Sequence, residues 1–273
     1  MIEILRKAWS STEEPRQNLP EKSDTVRYGL VLTGMFAFAM LDVKEETITL
    51  ARDPFGIKPL VYTNTDQGLA FASEIATLLT LPSVNRTVKP QALFDYLRFG
   101  LTDRRETTLF DEIMHLPAAS YAEIDLNKPI EVESKPYWLP KVNEPIDIGF
   151  NEAVTQLRGI FMNSVRLHLR SDVPVGAALS GGIDSSAIVM AMRELEGPNL
   201  DLHTFSFVAP GQKMDEEKWA DIVGSAVGAS MHKVKLSGPE LVNDLDALID
   251  TQGEPFGSTS IYAQNRVYRL AAE

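Results

Sequence analysis

Between Leu179 and Ile188 the chain reads Ser180-Gly181-Gly182-Ile183-Asp184-Ser185-Ser186-Ala187. Two adjacent glycines, three hydroxyls and one carboxylate are packed into a single turn. Glycine lets a backbone come within hydrogen-bonding distance of an anion, because no Cβ stands in the way. A helix that starts just afterwards leaves its first N–H groups without internal acceptors, and these also favour anions. The hydroxyls of Ser180, Ser185 and Ser186 add donors. Asp184 is acidic where an anion is expected, which makes sense if a divalent cation bridges it to phosphate oxygens. The simplest structural role would be a capped turn, worth about 1 kcal/mol. A serine, two glycines and Asp-Ser-Ser exceed what a cap requires. Neither G-x-x-x-x-G-K-[ST] nor G-x-G-x-x-G is present, so the pattern predicts a nucleotide or pyrophosphate site of another type.

Such a turn works only between a strand and a helix, and the flanking sequence predicts both. Residues 173–179 form an apolar run and 185–195 a helix. Strands at 203–208 and 232–236 then alternate with helices at 215–227 and 239–249. That alternation predicts a parallel sheet with right-handed crossovers and a ligand at the C-terminal strand ends, where Ser180 falls. Val154, Leu157, Phe161 and Val165 recur at helical spacing along one face. The earlier part reads differently. A helix is expected over residues 1–9, a mobile loop over 10–24, and β-structure from Tyr28. Within it, 34–41 is expected as a buried strand, followed by 47–51, 60–62, 69–72 and two strands around 118–125. Asp53-Pro54-Phe55-Gly56 is turn chemistry, and Pro90 opens an amphipathic helix. Pro129, Pro136, Pro140 and Pro145 mark a linker. The domains are therefore 1–133, a linker at 134–151, and 152–273. Arg52, Lys58 and Glu74 are read as charges at turns and domain contacts, since no nucleophile stands beside them to be activated.

The chain has 273 residues, enough for two cores. Lys and Arg total 26 against 38 Asp and Glu, a net charge of −12. That balance disfavours nucleic acid and anionic membranes as partners. No apolar run reaches the length of a spanning helix and the start lacks a secretory signal's order, so a cytoplasmic setting is expected. Cysteine is absent, which excludes disulfides, thiolate zinc sites and cysteine nucleophiles within these residues. His115, His168, His203 and His232 lie far apart in sequence, without metal-ligand spacing, and are expected to be surface or packing residues. Phe205, Phe207, Met190 and Met192 are expected in the core.

Ser180 to Ser186 resembles the pyrophosphate loop, SGGxDSS, of the ATP-pyrophosphatase superfamily. Gly34-Met-Phe-Ala-Phe-Ala39, Ala51-Arg-Asp-Pro-Phe-Gly-Ile-Lys-Pro-Leu60, Phe71-Ala-Ser-Glu74, Asp172-Val-Pro-Val-Gly176 and Gly253-Glu-Pro-Phe-Gly-Ser-Thr-Ser-Ile-Tyr262 resemble, in order, the glutamine-hydrolysing asparagine synthetases. Gly253 departs from the family's common Asp-Glu-Pro. The resemblance implies an α/β with α+β architecture. Partial N-terminal-nucleophile-type glutaminase layers would be followed by a parallel-sheet ATP-pyrophosphatase domain, apparently truncated at both ends.

The implied reaction is ATP-dependent amidation of aspartate through an aspartyl-AMP intermediate, with Mg²⁺ and with glutamine or ammonia as nitrogen source. Ser180, Gly181, Gly182, Ser185 and Ser186 would hold pyrophosphate and Asp184 the metal. Ala178, Leu179 and Phe207 would meet adenine through their backbones. Ser258, Thr259 and Ser260 stand where relatives gather acceptor-binding groups, and equally where a helix N-cap cluster would lie. Met1-Ile2 supplies no counterpart to the family's terminal cysteine, and no second acidic glycine loop follows, so little turnover is expected of this chain alone. The same two-domain plan also serves β-lactam synthetases and peptide cyclases, and a non-catalytic nucleotide-binding remnant would share its loop. The resemblance allows a homodimer.

Overall fold

A computed structural model describes residues 32, 34–102, 104–142, 145–212 and 215–273. The features expected over 1–9, over 10–24 and at Tyr28 lie outside the described residues. The chain forms two compact units. Unit 1 takes the described residues up to 142 together with 249–257; unit 2 takes those between 142 and 249 together with 258–273.

Unit 1 is antiparallel. Strands β1 (Ala37–Asp42), β2 (Thr47–Arg52), β6 (Ser120–Asp125) and β7 (Lys135–Pro136) form one sheet in that order. Strands β4 (Gly68–Ala72), β3 (Val61–Thr65) and β5 (Met114–His115) form the other. Leu50, Leu60, Leu116, Ala122 and Ile124 build one core cluster; Val61, Ile75, Leu78, Val84 and Ile113 build a second. Helix α1 (Ile75–Leu78) closes over the second, and α2 (Pro90–Phe99) begins with its proline at the first helical position, as expected.

Two strand expectations fail here for identifiable reasons. Strand β1 is not buried: Leu41 is 56% exposed, because among the described residues β1 pairs only with β2 and keeps a free edge. Around 118–125 there is one strand rather than two. Ala118 and Ala119 form a turn with Ala119 at φ +54°, a left-handed conformation that stops a strand from starting before Ser120. The additional short strand is β5, further upstream. Within the stretch read as linker, Tyr137 donates its hydroxyl to the Arg52 carbonyl at 2.8 Å. Burial, then the nearby Asp53 charge, push that hydroxyl's pKa up to about 12.

Unit 2 carries the alternation that positions the candidate site. Its order is α3 (Phe150–His168), β8 (Gly176–Ala178), α4 (Ile183–Glu196), β9 (His203–Val208), α5 (Glu217–Ala226), β10 (Ser230–Lys235), α6 (Gly238–Gln252) and α7 (Ser260–Ala272). The strands pair in parallel in the order β10-β9-β8, with register Ser230↔His203 and Gly176↔His203. Val165, Leu179, Val189, Met192, Leu202, Ala220 and Val227 form the core between strands and helices.

Three further expectations are corrected in this unit. Strand β8 covers three residues rather than seven: Pro174 has no N–H to give a ladder, and Val173 is 69% exposed. The apolar face of α3 is buried only at its C-terminal half, with Val165 inside but Val154 and Leu157 exposed. Met190 is exposed, and only Met192 of that pair is core; the two lie on different faces because the helical period separates i and i+2.

Candidate functional site

The geometry begins at the end of β8. The amide of Leu179 donates to the Phe205 carbonyl at 2.9 Å, and its carbonyl accepts the buried Ser206 hydroxyl at 2.6 Å. Leu179 is itself fully buried, which helps anchor the strand end. The chain then emerges: Ser180 and Asp184 are exposed, Gly181, Gly182, Ser185 and Ser186 half-buried. Register places Ala178 opposite Phe205, so Phe207, two residues further along β9, stands level with Ser180. Ala178, Leu179 and Phe207 thus share the C-terminal edge of the parallel strands with the loop.

Gly181 is required twice over. Its φ is +82°, and a Cβ there would come 2.6 Å from the Trp219 Cβ and 2.8 Å from the Ala220 amide nitrogen. Helix α5 therefore presses its first turn against the loop. Asp215 fixes that turn by accepting the Ala209 and Glu217 amides, each at 3.2 Å. Lys233 of β10 holds α5 from its other side, 2.6 Å from Asp221 and 2.9 Å from Glu217. Those bonds, Asp221 first, raise the Lys233 pKa.

Gly182 is the N-cap of α4, with extended φ and ψ and no side-chain cap. The serines instead bond to one another and to the loop. Ser180 and Ser185 share a hydroxyl–hydroxyl contact at 3.1 Å, the Ser180 amide donates to the Ser185 hydroxyl at 3.3 Å, and the Gly182 amide donates to the Ser180 hydroxyl at 3.3 Å. Ser186 donates its amide to the Gly182 carbonyl at 3.0 Å, an ordinary helical bond. The amides of Gly181, Ile183, Asp184 and Ser185 have no acceptor within the described protein. Unpaired N–H groups at a helix start carry the positive end of the helix dipole. The arrangement can hold a compact anion.

Asp184 is the one carboxylate in this turn. Among the described residues no group of three or more His, Cys, Asp or Glu could hold a metal ion by itself. A single carboxylate still suits Mg²⁺, which commonly takes one or two protein carboxylates and completes its shell with phosphate oxygens and water.

Ser258, Thr259 and Ser260 form a separate exposed hydroxyl cluster at the start of α7. The Ser258 and Ser260 hydroxyls lie 2.5 Å apart, and the Ser260 amide donates to Ser258. Thr259 is the N-cap residue, without a side-chain cap bond. The anchor of this helix was not legible in advance. Tyr262 is 1% exposed, its hydroxyl donating to Asp244 at 2.8 Å while receiving Arg266 at 3.0 Å. An Asp on one predicted helix and a Tyr on the next were the available signals, but their pairing depends on how α6 and α7 pack.

His203 and His232 stand on neighbouring strands with ring nitrogens 2.8 Å apart, and Asp201 lies 3.2 Å from the other nitrogen of His203. Parallel pairing of β9 with β10 erases their separation in sequence. In unit 1, Glu254 accepts the Leu109 amide and lies 3.6 Å from His115.

Two family descriptions match successive parts of the chain. Residues 156–273 match the family described as asparagine synthase, and residues 27–138 the glutamine amidotransferase domain. Asparagine synthetase 3 (glutamine-hydrolyzing) of Bacillus subtilis strain 168 is 31% identical over 234 residues, 80% of this chain and 37% of the relative. Asparagine synthetase 2 (glutamine-hydrolyzing) of the same strain is 34% identical over 223 residues, 77% and 29% respectively. Amidase chry2 of Gibberella zeae is 28% identical over 227 residues, 78% and 33%. The chain therefore spans about a third of the length of these curated relatives.

Proposed function

Because the chain belongs to the glutamine-hydrolysing asparagine synthetase family of carbon–nitrogen ligases, we propose that unit 2 grips the triphosphate of ATP for the amidation of aspartate. The supporting observation is the set of four unconsumed amides, Gly181, Ile183, Asp184 and Ser185, at the C-terminal edge of a parallel sheet. In this reading unit 2 is a domain of the ATP-pyrophosphatase type and unit 1 a glutaminase-type domain.

The proposed reaction has two steps. The side-chain carboxylate of aspartate attacks the α-phosphorus of ATP, and pyrophosphate leaves. Ammonia then attacks the resulting acyl phosphate carbon, AMP departs, and asparagine forms with loss of a proton. Gly181 and the start of α4 would hold the leaving pyrophosphate through their amides, with Ser180, Ser185 and Ser186 orienting it by hydroxyl contacts. Asp184 would hold Mg²⁺, which when bound neutralises phosphate charge. The backbones of Ala178, Leu179 and Phe207 would border adenine, and Ser258, Thr259 and Ser260 the acceptor. No cysteine occurs among the 273 residues, so this stretch offers no thiol for glutamine hydrolysis, and ammonia is its expected nitrogen donor.

A helix-terminus charge interaction contributes only about 0.3–1 kcal/mol. With one carboxylate in the loop, ATP should bind weakly and turnover should be low. The test is Mg²⁺-dependent ATP binding by calorimetry, paired with ATP–pyrophosphate exchange with and without aspartate. Absence of ATP binding sinks the nucleotide reading, and brisk aspartate-dependent exchange overturns the low turnover. The two-domain plan also allows a second reading, an amide-forming ligase with another acceptor acid. Exchange stimulated by that acid and not by aspartate would select it. ATP binding without exchange under any acid would indicate a non-catalytic nucleotide-binding role.

A further inference from the structure

Within residues 180–186 the loop of unit 2 offers amides and hydroxyls to an anion, yet its one charged side chain, Asp184, is negative. Helix-terminal amides carry only fractional positive charge, so a pyrophosphate held by them alone would stay largely unbalanced. Building on the nucleotide reading of that loop, we propose that Lys218 is a phosphate-binding residue of the same site. In the free protein it rests on the indole of Trp219, and pyrophosphate oxygens draw it across to the loop.

The first turn of α5 is the element packed against the loop. Around the place a Cβ would take on Gly181 stand the Trp219 Cβ at 2.6 Å, the Ala220 amide nitrogen at 2.8 Å and the Glu216 carbonyl at 3.1 Å. Lys218 belongs to this turn and is exposed. Long side chains on a helix lean toward its N-terminus, which here is the end that meets the loop. The Lys218 ammonium sits over the Trp219 ring, 5.2 Å from its centroid, and among the described residues no carboxylate lies within ion-pair distance of it. Its acidic neighbours are occupied elsewhere or face water. Asp215 accepts the Ala209 and Glu217 amides, Glu217 pairs with Lys233, and Glu216 is exposed. Lys233 makes the contrast: it is held between Glu217 and Asp221 at 2.9 and 2.6 Å and fixes the helix. Lys218 has only the indole, which is 55% exposed. A cation over an exposed ring is held weakly, and a flexible four-carbon stem with three donors can leave it for a phosphate.

Calorimetric titration of the 273-residue chain with magnesium pyrophosphate, Mg·ATP and AMP tests this. Lys218→Gln should bind pyrophosphate and ATP roughly tenfold more weakly, the size of a lost charged hydrogen bond. Its affinity for AMP, which lacks the leaving pyrophosphate, and its ligand-free melting temperature should not change. Lys218→Arg should restore most of the lost affinity, because it keeps the charge. Pyrophosphate should also alter the fluorescence of Trp219, identified by the loss of that signal in Trp219→Phe, and Lys218→Gln should remove most of the change. Unaltered affinity for ATP and pyrophosphate in Lys218→Gln overturns the proposal and leaves the loop reading standing. An equal loss for AMP overturns it too, since that marks a general disturbance of the site. A parent chain that binds neither ATP nor pyrophosphate sinks the loop reading and this inference together.

Discussion

The Asp53 turn of unit 1 and the Ser180 loop of unit 2 are both glycine-bearing bends at a strand end, and both gather backbone N–H groups around one point. In the first, the anion is part of the chain. The Asp53 carboxylate, in a residue 1% exposed, accepts the amides of Phe55, Ile57 and Lys58 at 2.9–3.1 Å. Burial alone would raise its pKa, but hydrogen bonds from Lys58, Ile57, Phe55 and Phe36 together outweigh this and hold it below the usual aspartate value. In the second, the acidic residue, Asp184, is exposed and the amides of Gly181, Ile183 and Ser185 find no acceptor among the described residues. One arrangement of donors serves stability, and the other remains available for chemistry. The difference is whether a carboxylate can fold back onto the bend. Asp53 reaches amides two to five residues ahead, whereas Asp184 is exposed in the first turn of the helix and accepts none of the loop amides.

The largest effect should follow from removing the internal anion. Asp53→Ala leaves three amides without an acceptor at a buried site, and should destabilise unit 1 by about 3 kcal/mol or more. Urea denaturation followed by probes in each unit should show unit 1 failing first; an unchanged midpoint would show that water replaces the carboxylate and would erase the contrast. Next is Gly181→Ala. Its Cβ would stand 2.6 Å from the Trp219 Cβ at a φ of +82°. It should cost about 2–3 kcal/mol in unit 2 and abolish measurable ATP binding.

Acid provides a titration of the same comparison. The folded pKa of Asp53 is lowered, so its contribution is present above the unfolded value of about 3.9 and is lost as pH falls through the lower folded value. Unit 1 should therefore lose stability below about pH 4, and Asp53→Asn should flatten that acid limb in a series of melting curves. The smallest effect belongs to Ser206→Ala. It frees the Leu179 carbonyl from a 2.6 Å bond and should cost about 1 kcal/mol, with a modest loss of ATP affinity if the strand end then relaxes.

Much of unit 2 was legible in advance because its signals are local. A glycine pair after an apolar run, and alternating strand and helix patterns, point to the loop's place whatever the remainder of the fold does. Strand β8 was overestimated because hydrophobicity does not reveal which strand lies at an edge or where a proline interrupts pairing. For helix α3 the spacing of Val154, Leu157, Phe161 and Val165 identified a face, because a period of 3.6 does that much, but not how far a neighbouring element covers it. In unit 1 the Asp53 turn was recognised as a turn, but the saturation of its carboxylate was not, since that depends on the bend closing to within hydrogen-bonding distance.

What the amino-acid sequence showed unaided was a family resemblance, the absence of cysteine among these 273 residues, and the position of a glycine-hydroxyl-carboxylate cluster at a strand-to-helix junction. All three depend on residue identity and short-range spacing. Tertiary structure alone decided that α5 would press against Gly181, that Tyr262 would meet Asp244, and that His203 and His232 would be neighbours. Each of these joins groups far apart along the backbone. Their proximity follows from strand register and helix packing, summed over the whole core rather than encoded at any one position.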